Sequence, residues 1–494
     1  MYILAFDIGT SAIKSTLVSL EGRIIDSVSK EYPVTGGGQG RAEQDPLLWW
    51  EGASVTSRKL LERNRDAARK IDVVGVSGHM LGCLPVDVHC NPLRPAMIHA
   101  DVRAAGECNY IRDVAGPDEL YRRTGSILSV QNTLCKILWI RNNEPDIYKN
   151  TVRFLQSKDF LTAKITGNID TTDLSDASHA QVIDIHSKKY MDDVFRELSL
   201  DAGKFPALHR GTDITGRVSK QAGEALGIQE GIPVIAGGGD GACANLGAGI
   251  TAARGEVYGN IGTTAWLAYG SAAPVIDGKS RVFNIISLDG DSFGVFGAMQ
   301  AAGKCVEWAR SLLAIESGAL FDAEAGAAPP GSGSLLFLPY IDGERSPIFD
   351  ANARGVFFNI DSNHKRSHFA RAVLEGVGFA LRSILEVIRE NTGVSQVRII
   401  GGGAKSRLWL QIIADICGAD VLTMEGKADS ITSLGVALAA AVGIGAYKTI
   451  DDAALVMKPA EKIPCRREYA AVYDGLYEKY LSLYSRVKDL YPAG

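Results

Sequence analysis

Apolar runs in this chain stop abruptly on polar, glycine-containing turns, and the pattern repeats. Residues 2–6, YILAF, are an unbroken apolar run; Asp7, Gly9, Thr10 and Ser11 interrupt it, and a second strand-like run resumes over 13–18. Short apolar runs bounded by turn residues predict buried strands, and the alternation of RIIDSVSKEY (23–32) after Glu21-Gly22 predicts a half-exposed one. The period then lengthens. AEQDPLLWWEGASVTSRKLLERN (42–64) has helical spacing, with Asp45 placed to cap it and Pro46 at its first position. IDVVGVSG (71–78) reads as another buried strand. Strands alternating with helix in this way predict an α/β domain whose strand ends feed functional loops.

The middle of the chain returns to the opening pattern. GIPVIAGGGDGACANLGAG (231–249) is a strand, a glycine turn and a helix of small residues, and GEVYGNIGTTAWLAYG (255–270) is again strand, Gly262-Thr263-Thr264, strand. A single turn of this kind reads equally as an ordinary polar hairpin or as a phosphate holder, where glycine admits a ligand close to the backbone and hydroxyls face its oxygens. Two of them, each near the start of a similar-sized half, favour a nucleotide clamp. A third glycine run, Gly401-Gly402-Gly403, joins a strand to an amphipathic helix bearing Leu408, Ile412, Ile413 and Ile416. That suits an anion or a flat nucleoside at a helix start. The small-residue helix SLGVALAAAVGIG (433–445) is expected to pack behind this loop.

Composition narrows the reading. A chain of 494 residues exceeds the roughly 250–300 residues at which one core stops growing, so at least two domains are expected. A formal charge of −5 argues against a nucleic-acid binder. No apolar run reaches the ~18 residues of a membrane span and no basic segment precedes the first strand, which predicts a cytoplasmic protein without membrane association. The eight cysteines form no CxxC pair and the eight histidines no HExxH spacing, which favours reduced, packed cysteines over zinc or disulfides.

Together these segments resemble the FGGY family of carbohydrate kinases, within the actin, heat-shock and hexokinase-type ATPase superfamily, and the resemblance runs the length of the chain. DIGTSAIKSTLV resembles its first phosphate motif, GNIGTTAW its second and GGGAKSRLWLQIIADICG its adenosine motif; QNTLCKILWIRNNEP (131–145, with Lys136 and Trp139) and GERSPIFDANARGVFFNI (343–360) resemble its two signatures. The resemblance implies two actin-like (ribonuclease H-like) α/β domains, 1–246 and 247–494, flanking a central ATP and sugar cleft. It implies ATP and Mg²⁺ as cofactors, a small sugar as partner, no nucleic acid, and allows a homodimer.

It also assigns candidate residues. Asp240, in GGGDG, matches the catalytic base, and Asp7 the carboxylate near Mg²⁺, with Asp240 sharing the metal. Thr10, Ser11 and Lys14 match phosphate contacts of the first hairpin, and Gly262, Thr263 and Thr264 those of the second. Gly303, Glu307 and Trp308 fall where family members contact nucleotide; Gly402 and Gly403 match the adenosine glycines, and Arg407 a polar nucleotide contact.

Sugar specificity is expected from loops of the first half. GVSGHMLGCLPVD (75–87) resembles the substrate loop of xylulokinase-like members, with His79, Met80 and Leu81 as candidate contacts. Leu81 replaces the expected histidine and His79 the usual glutamine. In MIHADVRAAGE (97–107), Asp101 is a candidate hydroxyl acceptor or the cap of the following helix, and His99 replaces a tryptophan. Gly241 follows the base where other members place an amide. A pentulose is the first expectation, with a hexulose, sugar acid or linear polyol as alternatives, and a superfamily ATPase without sugar substrate as the reading from another class.

Overall fold

In the computed structural model the described residues are 1–36, 38, 40–424 and 430–491. The apolar opening run is β1 (Tyr2–Ile8), which pairs antiparallel with β2 (Ala12–Ser19), itself antiparallel to β3 (Ile24–Glu31). Helix α1 (Pro46–Arg63) starts as its sequence dictates: the Asp45 carboxylate accepts from Leu47 N–H at 3.0 Å and Pro46 is its first residue. β4 (Ile71–Gly78) lies parallel to β1. An insertion carrying α2 (Thr133–Asn143), α3 (Ser157–Thr166) and α4 (Leu174–His179) follows. β5 (Ile214–Arg217), β6 (Pro233–Ile235) and β7 (Gly238–Gly239) complete a seven-stranded sheet of order β5-β6-β4-β1-β2-β3, with β7 also paired to β4. Helix α5 (Asp240–Gly247) ends this half.

The second half repeats the plan. β8 (Val257–Ile261) and β9 (Ala265–Ser271) form the second hairpin, followed by β10 (Phe283–Ile286), β11 (Phe293–Met299) and helix α6 (Gly303–Leu312). After helix α7 (Arg366–Arg389) come β12 (Gln396–Ile400), α8 (Arg407–Cys417), β13 (Asp420–Met424), α9 (Ile431–Gly443) and β14 (Pro459–Ile463). The sheet order is β10-β11-β9-β8-β12-β13-β14. In each half a central strand pairs antiparallel with its hairpin partner and parallel with a strand on its other side. Two actin-like halves is therefore the fold.

Side-chain alternation sorts each central strand into two faces. Leu4, Phe6 and Ile8 pack with α1 and α3, while Ile3 and Ala5 face α9. Between the two sheets lies one continuous apolar cluster built on α5 and α9. Here the structure departs from expectation. Helix α9 does not sit behind the Gly401–Gly403 loop; it crosses to pack on β1 and β4 of the first sheet. Glycines make this possible. A Cβ on Gly75 would stand 3.0 Å from the Val436 carbonyl oxygen, and one on Gly435 would collide with the Cys243 carbonyl at 1.7 Å. The run of small residues that looked suited to any close contact is used for helix crossing. Among the described residues no helix is long and apolar enough to cross a membrane.

Candidate active site

The odd-numbered face of β1 continues past its apolar residues to Asp7, so the carboxylate emerges where the helices of the central layer end. Register places Lys14 directly opposite Asp7 in the hairpin. Gln44 holds the turn: its amide donates to the Thr10 carbonyl at 2.5 Å and accepts from Trp49 Nε1 at 3.1 Å. The second hairpin has the same build, Asn260-Ile261-Gly262-Thr263 against Asp7-Ile8-Gly9-Thr10, with a neutral amide where the first carries a carboxylate.

Two cavities meet at that second turn. The larger, about 840 Å³, is lined by Gly262, Thr263, Gly303, Glu307, Gly402 and Gly403, with Lys405, Ser406 and Trp409. The smaller, about 450 Å³, is lined by Thr10, His79, Met80, Leu81, His99, Asp240, Gly241 and Thr264, among others. Both fall in the size range of small-ligand sites. The turn 262–264 is thus a ridge with Thr263 on one side and Thr264 on the other. Close backbone approach sets the larger cavity. A Cβ on Gly303 would sit 2.5 Å from the Gly262 carbonyl, and the first N–H groups of α6 are taken by the turn: Gly303 donates to Gly262 O at 2.9 Å and Lys304 to Thr263 O at 3.2 Å. Gly401, at φ 92°, turns the chain with its Cα against Asn260 and Ile261.

Asp240 opens α5, and burial pushes its carboxyl up to about 6. Asp7 is pushed up to about 7, by burial first and then by the Asp240 charge, with Lys14 pulling the other way. The loop bearing Asp240 is fixed from behind. Ser175 Oγ accepts from Gly239 N–H at 3.0 Å, and the Asp173 carboxylate caps α4. Beneath lies a fully buried Lys158 paired with Asp159, with Asp173 at 3.0 Å and with Asp176 at 3.5 Å. One cation cannot balance three carboxylates, and burial raises Asp176 well above the usual range. A Cβ on Gly239 would stand 2.5–2.6 Å from the Met80 side chain, so any larger residue there would displace Met80.

The loop carrying Met80 and Leu81 is held by Lys136, a residue whose part sequence reasoning missed. Its buried ammonium donates to the Leu81 carbonyl at 2.6 Å and the Ile98 carbonyl at 2.7 Å, tying both first-half loops together. Leu81 is held at φ 64°, a conformation costing a branched side chain about 1–3 kcal/mol and typical of ligand sites. His79 is 2 % exposed, packs edge-on against Trp49 with ring centroids 5.5 Å apart, and has neither ring nitrogen hydrogen-bonded.

Three expected contacts lie elsewhere. The Asp101 carboxylate is buried and taken by Arg103, at 2.6–3.0 Å, and by Ala42 N–H at 2.8 Å; it does not line the cavity. Nor does it cap a helix, since the next one begins at Ala105. Arg407 points to Glu461 on β14, and its neighbours Lys405 and Ser406 line the cavity instead. Trp308 stacks on Phe337 at 5.9 Å. Sugar specificity was expected from the first half alone, yet strands β9–β11 supply Trp266, Phe283, Ile285, Phe296 and Ala298 to the smaller cavity, with Arg345 beside them. Those residues are distant in sequence from any substrate motif.

A phosphate-type ridge between a nucleoside-sized cavity and a small polar one, with a carboxylate in the latter, defines a phosphotransferase of the two-domain actin-like class. Comparison with known proteins carries this further. Residues 2–247 match the N-terminal domain of the FGGY family of carbohydrate kinases and residues 257–444 its C-terminal domain. The chain belongs to that family and is an ATP-dependent carbohydrate kinase. It is 32% identical over 493 residues to the xylulose kinase of Bacillus subtilis, covering 99% of this chain and 98% of that one. To the Escherichia coli xylulose kinase it is 30% identical over 494 residues, covering 99% and 100%. The crystal structure of ligand-bound xylulose kinase from Lactobacillus acidophilus superposes with a TM-score of 0.93 at 25% identity, covering 99% of both chains.

Proposed function

We propose that the protein transfers the γ-phosphoryl group of Mg-ATP to a hydroxyl of a pentulose, with the chain dividing near residue 247 into a sugar-binding half and a nucleotide-binding half. The observation that carries the reading is the placement of Asp240 in the smaller cavity, across the 262–264 ridge from the larger one. ATP lies in the larger cavity with its adenosine against Gly402 and Gly403 and its phosphates over the two hairpins. The sugar lies against Met80, His79 and Leu81. Asp240 accepts the proton of the attacking hydroxyl as the new O–P bond forms and the bond to ADP breaks. With a pKa of about 6 the carboxylate is mostly ionised at neutral pH, as a base must be. Such general-base help is worth about 10²- to 10⁴-fold; positioning over the ridge and exclusion of water by closure supply the remainder.

The donor set fits Mg²⁺. The Asp240 charge helps raise the Asp7 pKa, burial raises both carboxylates, and among the described residues no group of three His, Cys, Asp or Glu could hold a metal. Mg²⁺ characteristically takes one or two carboxylates and completes its shell with phosphates and water. Asp7 and Asp240 would hold it, and there it would neutralise charge on the phosphates.

A sugar acid is the second reading. It is favoured by Arg345, a guanidinium at the cavity wall whose Nη2 donates to the Met299 carbonyl at 2.9 Å and whose buried Nε has no partner among the described residues. The test is ADP release with Mg-ATP across pentuloses, hexuloses, aldonates and polyols, run beside Asp240→Asn. A large rise with a pentulose, cut at least 100-fold by Asp240→Asn at unchanged ATP affinity, is the expected result. Wild-type turnover in the variant would overturn the assignment of the base.

A further inference from the structure

The smaller cavity has a polar group on its second wall that no motif announced. His179 ends α4 and lines the cavity together with His79 and His99. Its ring is clamped: it stacks on Phe283 with centroids 5.4 Å apart and planes at 25°, and Phe283 stacks on Phe296 at 5.3 Å and 10°. Its carbonyl accepts from Asn132 Nδ2 at 2.9 Å, which fixes the backbone as well. A ring so carefully oriented would be expected to spend its hydrogen bonds on the protein, yet Nδ1 is buried without a partner and neither nitrogen has one among the described residues. Burial and the neighbouring Arg345 keep the imidazole neutral, so that it offers one donor and one acceptor. Phe283, Ile285, Phe296 and Trp266 line the cavity with it, and Arg345 stands nearby. Polar groups set among apolar ones are what fix a small ligand's orientation.

Resting on the reading that this cavity takes the sugar, we propose that His179 is a specificity-determining residue: its imidazole hydrogen-bonds a substrate hydroxyl from the wall it shares with Phe283 and Phe296. It supplies a polar contact that Leu81 cannot make. Nε2, the nitrogen not enclosed by protein, makes the contact. A site built to hydrogen-bond a hydroxyl rejects analogues that lack it more strongly than an apolar pocket distinguishes methylenes.

The experiment compares wild type, His179→Ala and His179→Gln, the glutamine restoring a polar group near the position of Nε2. Each is assayed with the preferred sugar and with its monodeoxy analogues. His179→Ala is expected to raise the sugar KM at least tenfold with the ATP KM within twofold, and His179→Gln to recover most of the loss. For the analogue lacking the contacted hydroxyl, wild type and His179→Ala should have equal kcat/KM. A penalty that persists undiminished through every analogue would assign His179 to packing and overturn the inference. Titration calorimetry of the same sugars without ATP reads the contact independently of turnover. Equal Kd values in wild type and His179→Ala overturn this inference alone, whereas ADP release with none of the sugars overturns the reading of the site.

Discussion

Replacing His79 by glutamine removes one buried titrating group and keeps a polar side chain of similar reach. Burial, reinforced by His99 and Lys136, lowers the His79 pKa to about 3 in the folded protein, against about 6.5 in an unfolded chain. Between those values the unfolded state binds a proton that the folded state refuses, so stability rises with pH and is lost as pH falls from 6.5 towards 3. Integrating that difference gives a loss of about 2 kcal/mol between pH 7 and pH 5 from this residue. For a cooperative unit of 494 residues the unfolding entropy is about 1 kcal/mol/K, so the corresponding shift is about 2 °C. Asp7, Asp240 and Glu344 titrate in overlapping windows with the opposite sign, because burial raises them. They are common to both proteins and cancel in the difference. The assay is thermal unfolding of wild type and His79→Gln at pH 7, 6 and 5 without ligands. The gap between the two melting temperatures should move by about 2 °C in favour of the variant as pH falls from 7 to 5. Parallel profiles from pH 7 to 5 would refute the reasoning.

Lys136→Met removes a buried cation from two carbonyls, each such bond being worth about 1.5–3 kcal/mol; the sugar KM should rise about 10- to 100-fold and the melting temperature fall, with the ATP KM unchanged, as steady-state kinetics and thermal unfolding would record. Gly303→Ala forces the start of α6 away from the Gly262 carbonyl, so the ATP KM should rise about tenfold or more while sugar binding, followed by calorimetry, is unaffected.

Features written locally in the chain were legible. The two hairpins, the Asp45 cap and the Gly401–Gly403 turn each follow from a few adjacent residues whose backbone preferences leave little choice. The destination of a side chain was harder. Arg407 and Asp101 occupy the right elements, yet Glu461 and Arg103, far off or two residues away, claim their charges. Small residues over 433–445 announced close packing but could not say against what; the choice of the first sheet depends on Gly75 and Gly247, which lie in other segments. Lys136 was visible as a signature position, while its function required knowing that residues 81 and 98 converge on it. The wall made by Phe283 and Phe296 left no local trace, since strands β10 and β11 read as ordinary core, and Arg345 stood in the second signature without a role that adjacent residues could assign.

The crossing of α9 onto the first sheet has a consequence for how the polypeptide comes into being. On a ribosome, residues 1–247 emerge well before Ile431–Gly443, yet the face of the sheet bearing Ile3, Ala5 and Val73 is covered by that later helix. The leading half therefore waits, with part of its apolar surface uncovered, until almost the whole chain has been made. Cutting between the halves frees neither: the first loses the helix that seals its sheet, and the second keeps a helix with nothing to seal. The two family domains are units of sequence, and the chain as a whole is the unit of folding.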